Sequence, residues 1–282
     1  MQESPQIVPK VLVTTDFSAP SEWAFYHALS IAVRRQARLT LLHTGPEGRR
    51  DIAWERFPGV RQTLGRWGLL SPEAPRTAVA AELGVEVSKM AIRDDSPRFG
   101  ITDYLRRHPT DLLVMATEGR AGLRRLINPS VADSVSYLTH SHTLMLPRDG
   151  AGLVDPETGR SGLRRVLCAL DPARDPRVDL AYLRQWLPAL ADPAGFVVGC
   201  LDAPGGDLPV RQLAAESGWH VLPCAAQTTE AIIDTAREFA AELIVVHGRS
   251  PLSTWARVRG NRNDHLMREL KIPLLSMPTP RS

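Results

Sequence analysis

Two aspartates stand where an α/β protein could bind a ligand. Asp16 follows the short apolar run 10–15, and Asp171 follows the similar run 165–170. If these runs are parallel strands, both carboxylates lie at the carboxyl ends of strands, where open α/β sheets bind their ligands. A carboxylate at this place can also cap the next helix or fix the loop. Both roles stay open for Asp16 and Asp171.

Three cysteines and one histidine are candidate metal ligands. Cys168, Cys200 and Cys224 fall on or near predicted strands of the second half, and His247 ends a further one. These residue types suit zinc, but their spacing contains no Cys-x-x-Cys pair. Buried structural thiols explain the cysteines more simply, so we predict no metal site.

The sequence offers little for catalysis. It contains neither a Gly-x-Ser-x-Gly nucleophile motif nor a His-Glu-x-x-His zinc motif. It also lacks the lysine of a phosphate-binding P-loop. We therefore expect a protein that is not an enzyme and has no catalytic residues.

Alternating strands and helices are predicted to position these residues. After the first apolar run, Ala24, Ala28, Ile31 and Ala32 have the spacing of an amphipathic helix. Alternation of this kind indicates a parallel sheet with helices on both faces. Further helices are predicted within 60–83 and over 97–107 and 130–139. The predicted strands are 10–15, 38–44, 85–92, 111–116, 142–147, 165–170, 195–201, 219–224, 242–247 and 273–277.

The chain contains two diverged copies of one unit. Asp16 and Asp171 are 155 positions apart, whereas the matching apolar runs that begin at Asp111 and Glu242 are 131 apart. The second copy is therefore shorter between its first and fourth strands. The predicted organisation is a first domain over 1–147, a Gly-rich linker over 148–162 and a second domain over 163–282.

Composition excludes several classes of protein. The chain has 282 residues with 34 basic and 31 acidic side chains, so its formal net charge of +3 does not favour a nucleic-acid partner. Three cysteines, an odd number, argue against a disulfide framework and suit a reducing cytosol. We see neither a signal peptide nor an apolar run long enough to cross a membrane. These features predict a soluble, cytoplasmic protein without a membrane partner.

The order of the motifs resembles the universal stress protein family. The first half carries Val13-Thr14-Thr15-Asp16-Phe17-Ser18, Leu41-Leu42-His43 and the stretches 111–123 and 130–135, and the second half carries the related stretch 240–249. The resemblance implies two tandem doubly wound α/β domains, each a five-stranded parallel sheet of strand order 3-2-1-4-5 with helices on both faces. Tandem members often pack their two domains about a pseudo-twofold axis. The chain could thus mimic the family dimer by itself, or two chains could pair as a homodimer.

The ATP-binding loop of that family has the pattern Gly-x2-Gly-x9-Gly-Ser/Thr, from which the first half departs. Ala116 replaces the first glycine, Gly119 matches the second, and Pro129 replaces the third before Ser130. The glycines let the backbone approach the ribose and phosphates, and N–H groups at the next helix hold anionic oxygens. Pro129 fixes φ and removes an N–H that could face phosphate.

The resemblance nevertheless implies an adenine-nucleotide site, for ATP or a related compound. Thr44 matches a family position that flanks the adenine, although an exposed loop residue is the alternative. In the second half one glycine of the expected pair is missing. The first-half candidates are Thr14, Thr15, Asp16, Thr44, Met115, Ala116, Gly119, Arg120, Ser130 and Val131. The weaker second-half candidates are Asp171, Gly248, Gly260 and Asn261.

These features predict a stress-response protein whose first domain binds ATP or a related nucleotide. Binding would bias the conformation or the partner contacts without turnover. The alternative is a nucleotide-independent interaction module, which Pro129 and the degenerate second loop favour. A slow ATPase is the third hypothesis. The sequence names neither the stress nor the partner.

Overall fold

Strands and helices alternate through both halves of the computed structural model, as the sequence predicts. The structure describes residues 8–45, 54–117, 131–148, 152–171, 175–202, 209–224, 228–247 and 262–278. The strands are β1 (Lys10–Thr15), β2 (Arg38–Gly45), β3 (Glu86–Arg93), β4 (Leu112–Ala116), β5 (Thr143–Leu146), β6 (Arg165–Ala169), β7 (Val197–Asp202), β8 (His220–Pro223), β9 (Leu243–His247) and β10 (Leu274–Met277). The helices are α1 (Ala19–Arg35), α2 (Val60–Arg66), α3 (Ala78–Leu83), α4 (Pro97–Arg107), α5 (Val131–Thr139), α6 (Pro176–Leu190), α7 (Pro209–Glu216), α8 (Thr229–Glu238) and α9 (Arg262–Leu270).

All ten of these strands form one continuous sheet. Its order is β3-β2-β1-β4-β5-β10-β9-β6-β7-β8, so each half has the predicted order 3-2-1-4-5. Every pairing within a half is parallel, and the two halves meet through an antiparallel pairing of β5 with β10. The predicted α/β class is confirmed. The sequence did not predict that the two sheets would join edge to edge.

The junction of the two sheets lies on a pseudo-twofold axis. Leu144 pairs directly with Leu275, and these residues stand at equivalent positions of the two copies, 131 apart. Two equivalent residues can face each other across an antiparallel pair only where a twofold axis passes between them. The packing about a pseudo-twofold that the resemblance implies is therefore present within one chain.

The sheet is covered on both faces, which gives two hydrophobic cores. The side that we call the α1 face carries α1, α2, α3, α6 and α7, and its core includes Phe25, Leu41 and Trp186. The side that we call the α4 face carries α4, α5, α8 and α9, and its core includes Leu42, Leu113 and Leu266. Successive residues of a strand alternate between the two faces. Alternation thus decides which face each candidate side chain joins.

Helix α1 shows how the local sequence sets these elements. The hydroxyl of Ser18 accepts a hydrogen bond from the backbone N–H of Ser21, and a proline follows in the first turn. Gln36 ends the helix in the left-handed conformation at φ 48°. The predicted apolar positions Ala24, Ala28, Ile31 and Ala32 are all buried.

The helix predicted within 60–83 is two short helices, α2 and α3. Gly68 adopts a positive φ of 73°, and Pro72 and Pro75 follow it. Glycine readily takes up this conformation, and proline cannot donate a helical hydrogen bond. The intervening chain remains packed, because Leu70 and Ala74 are buried.

The part of the predicted linker that the structure describes is folded against the first half. Val154 forms an antiparallel bridge with Ser161, and Leu153 is buried. The Nε2 atom of His27 accepts hydrogen bonds from the N–H groups of Leu153 and Val154 at 2.8 and 3.3 Å. The indole N–H of Trp67 donates to the carbonyl of Pro156 at 2.9 Å. The boundaries at 147, 148, 162 and 163 stay a prediction.

Membrane-spanning helices are absent from the described ranges, where no helix combines enough length with enough apolar character.

Candidate functional site

The turn from β1 to α1 is held by a dense set of hydrogen bonds. Thr15 Oγ1 accepts from the N–H of Phe17 at 3.0 Å and shares a hydrogen bond with Ser21 Oγ at 3.0 Å. Asp16 Oδ1 accepts from the N–H of Ser18 at 3.1 Å and also from the hydroxyl of Ser18. Asp16 therefore has the loop-fixing role that the sequence analysis left open, and its carboxylate is held in a defined orientation.

Phe17 is an additional residue of this turn. It has a positive φ of 60°, which is uncommon for a bulky side chain. Its ring contacts His43, Trp54 and Phe57 at centroid distances of 4.5, 5.0 and 5.7 Å. The aromatic contacts compensate for the backbone conformation, which turns the chain sharply after Asp16.

Several candidate side chains of the first half lie on one face at the carboxyl edge of the sheet. Leu12 and Leu42 belong to the core of the α4 face, so Thr14 and Thr44, two residues further along each strand, lie on that face as well. Met115 is buried in the same core. Thr14 pairs with Leu42, and Val13 pairs with Val114. The side chains of Thr14, Thr44 and Met115 therefore lie on adjacent strands, at neighbouring positions along the sheet.

Thr15 and Ala116 are directed to the opposite side of the sheet. The Thr15 hydroxyl is buried and bonds to Ser21 of α1, and Ala116 packs on the core of the α1 face. Their side chains are therefore not brought together with those of Thr14 and Thr44. Any contact of Thr15 or Ala116 with a ligand on the α4 face would have to come from the backbone.

Thr44 is the most unusual residue of this edge. It is only 9% exposed, so the alternative of an exposed loop residue is wrong. Its Oγ1 atom is buried and has no hydrogen-bond partner among the described residues. A buried hydroxyl without a partner costs about 1–3 kcal/mol, so such groups are uncommon in proteins.

Gly100 of α4 explains why Thr44 is covered. A Cβ atom built on Gly100 would lie 2.4 Å from Cγ2 of Thr44 and 3.1 Å from Cβ of Asp94. Only glycine allows the helix to approach the strand this closely. Sequence reasoning missed this contact, although a glycine inside a predicted helix is a usable signal for close packing.

The remaining first-half candidates lie at the start of α5 or before it in the sequence. Val131 is its first residue and is 40% exposed. Gly119, Arg120 and Ser130 lie outside the described residues, as does Pro129. The prediction that they form a phosphate-binding loop therefore stays a prediction.

The equivalent edge of the second half is built differently. His247 stands at the position equivalent to Ala116, and its Nδ1 accepts a hydrogen bond from the N–H of Asp171 at 2.9 Å. A backbone N–H can only donate, so the proton of the neutral ring is on Nε2, which donates to Asp179 Oδ2 at 2.7 Å. Both side chains are nearly buried. This buried bridge fixes the turn after β6.

The α4 face of that second edge is apolar. Ala169 stands at the position equivalent to Thr14, and Val246 at the position equivalent to Met115; both are buried in the core. The candidates Gly248, Gly260 and Asn261 lie outside the described residues. Asp171 is at the edge, as predicted, and its backbone N–H binds His247.

The three cysteines are buried and are not joined by disulfides. Cys168 and Cys200 are directly opposite on β6 and β7. A hydrogen bond between the two thiols, together with burial, raises the pKa of Cys168 well above its usual value. Within the described ranges no group of three His, Cys, Asp or Glu side chains could hold a metal ion.

Two sequence comparisons identify the first half. Residues 8–147 match the profile of the Universal stress protein family. A universal stress protein of Methanocaldococcus jannaschii is 27% identical over 148 residues, which cover 49% of this chain and 82% of that protein. The chain belongs to the universal stress protein family through its first half.

Solved structures extend the likeness to both halves of this universal stress protein, as a likeness of fold. A universal stress protein from Archaeoglobus fulgidus superposes with a TM-score of 0.59 at 15% identity, over 95% of this chain and 96% of that one. A protein of unknown function from Pseudomonas aeruginosa gives 0.61 at 16%, over 97% and 94%.

The cytoplasmic domain of a prokaryotic cation chloride cotransporter also has this fold, with a TM-score of 0.55 at 12% identity over 95% of each chain. This chain therefore shares its fold with part of a transport protein. The fold alone does not decide the function, which has to be argued from the site.

Proposed function

We propose that the first half binds ATP or a related adenine nucleotide at the carboxyl edge of β1, β2 and β4, on the α4 face. The observation that carries the proposal is the buried hydroxyl of Thr44, which has no hydrogen-bond partner in the part of the chain that the structure describes. It lies on the same edge as Thr14, Asp16 and Met115. A polar ring atom of a bound ligand would give this hydroxyl a hydrogen-bond partner and recover the free energy lost by its burial.

The orientation of Asp16 supports the same site. Its carboxylate is held by the N–H and hydroxyl of Ser18, so its direction is set before any ligand arrives. In this proposal the carboxylate accepts a further hydrogen bond from a ribose hydroxyl, since its two oxygens offer about four acceptor sites. A preoriented acceptor of this kind lowers the entropy that binding costs.

Helix α5 supplies the start of a second wall. Val131 is its first residue, and the N-terminal N–H groups of a helix attract anionic oxygens. In this proposal the phosphates lie between Gly119 and the start of α5, with Arg120 and Ser130 beside them.

Binding is proposed to bias conformation or partner contacts, not to start a reaction. The sequence provides no P-loop lysine and no recognised catalytic motif, so slow ATP hydrolysis is the less favoured version of the same proposal. We place the protein in the cytoplasm as a stress-response factor with protein partners, not with nucleic acid or membranes. The two halves would supply the family's dimer arrangement within one chain, and pairing of two chains is the alternative.

A nucleotide-independent interaction module is the second candidate. Asp16 already fixes its own turn, and Pro129 removes an N–H from the phosphate loop. In that case the edge would be a structural connection, and the partner surface would lie elsewhere.

The test is to denature the purified chain and identify any released nucleotide by chromatography and mass spectrometry. ATP is then titrated into the emptied protein. We expect about one released adenine nucleotide per chain, and Thr44→Val should weaken the affinity of that site by about tenfold through loss of one hydrogen bond. Thr44→Ser keeps the hydroxyl and is the matched control, with affinity close to that of the original chain.

Absence of released nucleotide together with absence of heat at millimolar ATP would reject nucleotide binding in favour of the interaction module. Steady phosphate release would instead identify a slow ATPase. An affinity unchanged by Thr44→Val would contradict the role of this hydroxyl.

A further inference from the structure

A cleft lies on the α1 face of the sheet, between the edge strand β3 and the helices α2 and α3. Its volume is about 970 Å³. Val87 and Lys89 of β3 form one wall, and both side chains point to the α1 face because they are two residues apart. Thr44 lies on the opposite face of the sheet. The cleft is therefore separate from the proposed nucleotide site.

The lining of this cleft, which we call the basic cleft, carries four cationic side chains and no acidic one among the described residues. The cations come from three different elements. They are Arg61 and Arg66 of α2, Arg76 before α3 and Lys89 of β3. Since the whole chain carries a formal net charge of only +3, this concentration of positive charge is local.

Two of the arginines are held in place by the protein. Arg61 donates to the carbonyl of Ala74 at 3.0 Å, and Arg66 donates to the carbonyl of Pro156 at 2.9 Å. Arg66 also lies over the ring of Tyr26 and within 3.4 Å of Glu157. Their guanidinium groups are thus restrained at the cleft, and within the described ranges only Arg66 has an acidic partner.

The other two cations are close to each other without a compensating anion. Neither Lys89 nor Arg76 has an ion pair among the described residues, and Lys89 Nζ lies 4.8 Å from the centroid of the Trp54 ring. Burial and the neighbouring charge of Arg76 lower the pKa of Lys89. Lys89 and Arg76 are both solvent-exposed, and an anion bound between them would reduce the repulsion of their like charges.

The size and the remaining lining favour a small molecule over a macromolecule. The volume is within the range of small-ligand pockets, about 300–1,000 Å³. Val60, Pro72, Val79 and Val87 give the cleft an apolar part beside its charges. A ligand with a charged end and a carbon skeleton would match both parts.

We propose that the basic cleft binds a small organic phosphate with two or more negative charges. Arginine pairs bind phosphate oxygens through several N–H groups at once, and lysine adds a point charge. Four cations suit a multiply charged phosphate better than a single carboxylate, which would neutralise only one of them. The proposal does not depend on nucleotide binding at the other face.

The test is a calorimetric titration of the full chain with inorganic pyrophosphate, with sodium acetate as the single-carboxylate control. We expect one pyrophosphate site per chain and no measurable acetate binding. The double variant Lys89→Gln, Arg76→Gln should weaken pyrophosphate binding by about tenfold or more, because it removes two charge-assisted contacts to the phosphate oxygens. Raising the salt concentration should weaken it further.

Matched controls separate this site from general charge and from the nucleotide site. Lys10→Gln with Arg106→Gln removes the same charges outside the cleft and should leave the pyrophosphate affinity unchanged. Gly119→Glu, placed in the proposed nucleotide loop, should also leave it unchanged. Lys89→Arg keeps the charge and should retain most of the affinity.

The proposal is wrong if the folded wild-type chain shows no pyrophosphate binding at millimolar concentration, or if the folded double variant binds as well as the wild type. Circular dichroism and the melting temperature establish folding for each variant. Should the double variant be unfolded, the single variants Lys89→Gln and Arg76→Gln provide the same comparison. If the control variant Lys10→Gln, Arg106→Gln loses as much pyrophosphate affinity as the double variant, binding depends on overall charge and not on the basic cleft, and the proposal is wrong.

Discussion

The two halves of this protein share one topology but have different chemistry at the carboxyl edge of the sheet. In the first half the hydroxyls of Thr14 and Thr44 lie on the α4 face, and Thr15 fixes the turn before α1. In the second half the α4 face is apolar, and the turn is fixed from the α1 face by His247, which also bonds to Asp179.

The difference teaches that a strand-to-helix turn can be kept while the side chains on the α4 face beside it change from polar to apolar. After β1 the backbone N–H of Phe17 donates to Thr15, and after β6 the backbone N–H of Asp171 donates to His247. Each turn therefore has a polar side chain that accepts one of its N–H groups. The buried hydroxyl of Thr44 in the first half has no hydrogen-bond partner among the residues that the structure describes. Function is therefore expected in the first half, and a structural role in the second.

The largest expected effect of a single substitution comes from removing His247. His247→Ala leaves the carboxylate of Asp179 and the N–H of Asp171 buried without their partner, which should cost about 3 kcal/mol. Thr15→Val removes the equivalent support in the first half and should cost less, about 1–2 kcal/mol, because no charge is left unpaired. Chemical denaturation of both variants measures the difference.

Asp179→Asn is the control for that prediction. Its side-chain oxygen can still accept from His247 Nε2, so the free energy of unfolding should fall by less than in His247→Ala. Equal stability of His247→Ala and the original chain would contradict a structural role for the bridge.

Acid should weaken the regions that join the two halves. Burial lowers the pKa of His27, which holds the segment 153–154, and of His142, which stacks on Tyr182 at 3.5 Å, to about 4 each. Below pH 6.5 the unfolded chain binds protons that the folded chain excludes, so stability falls as pH drops from 6.5 to 4. Each histidine should account for about 3 kcal/mol over that window.

Denaturation at several pH values measures this loss. His27→Gln cannot titrate, so its stability should depend less steeply on pH in this range. A variant with the same slope as the original chain would show that His27 is not the group responsible.

A smaller effect is expected from Gly100→Ala. The new methyl group would lie 2.4 Å from Thr44, so α4 must move away from β2, at a net cost of about 1–2 kcal/mol. Gly65→Ala in α2 is the matched control, since its nearest neighbour is 3.8 Å away. That change should stabilise the protein by about 0.5–1 kcal/mol. Thermal unfolding measures both, and a stabilised Gly100→Ala would contradict the close packing on Thr44.

Local patterns predicted much of the fold. The ten apolar runs became strands because each alternates or stays apolar over a strand's length, and the offsets of 155 and 131 revealed the repeat. The edge-to-edge pairing of β5 with β10 was not predicted. Apolar residues such as Leu144 and Leu275 are expected both in a strand whose edge is covered by other elements and in one that pairs with another strand, so they do not predict the pairing.

The site was less predictable because its decisive contacts are distant in the sequence. His247 and Asp179 are 68 residues apart, and Thr44 is covered by Gly100 of a helix that follows the next strand. Only the folded chain shows that Thr15 and Ala116 are directed away from Thr44. The Asp16 position was predictable, because it follows directly from the end of β1.

The most direct test of the difference between the halves is the number of ATP molecules that one chain binds. The titration uses a chain with Lys89→Gln and Arg76→Gln, so that phosphate binding in the basic cleft does not contribute. We predict one ATP per chain, lost in Gly119→Glu and retained in the matched second-half variant Gly248→Glu. Two ATP per chain, or one that survives Gly119→Glu, would contradict the assignment of nucleotide binding to the first half alone.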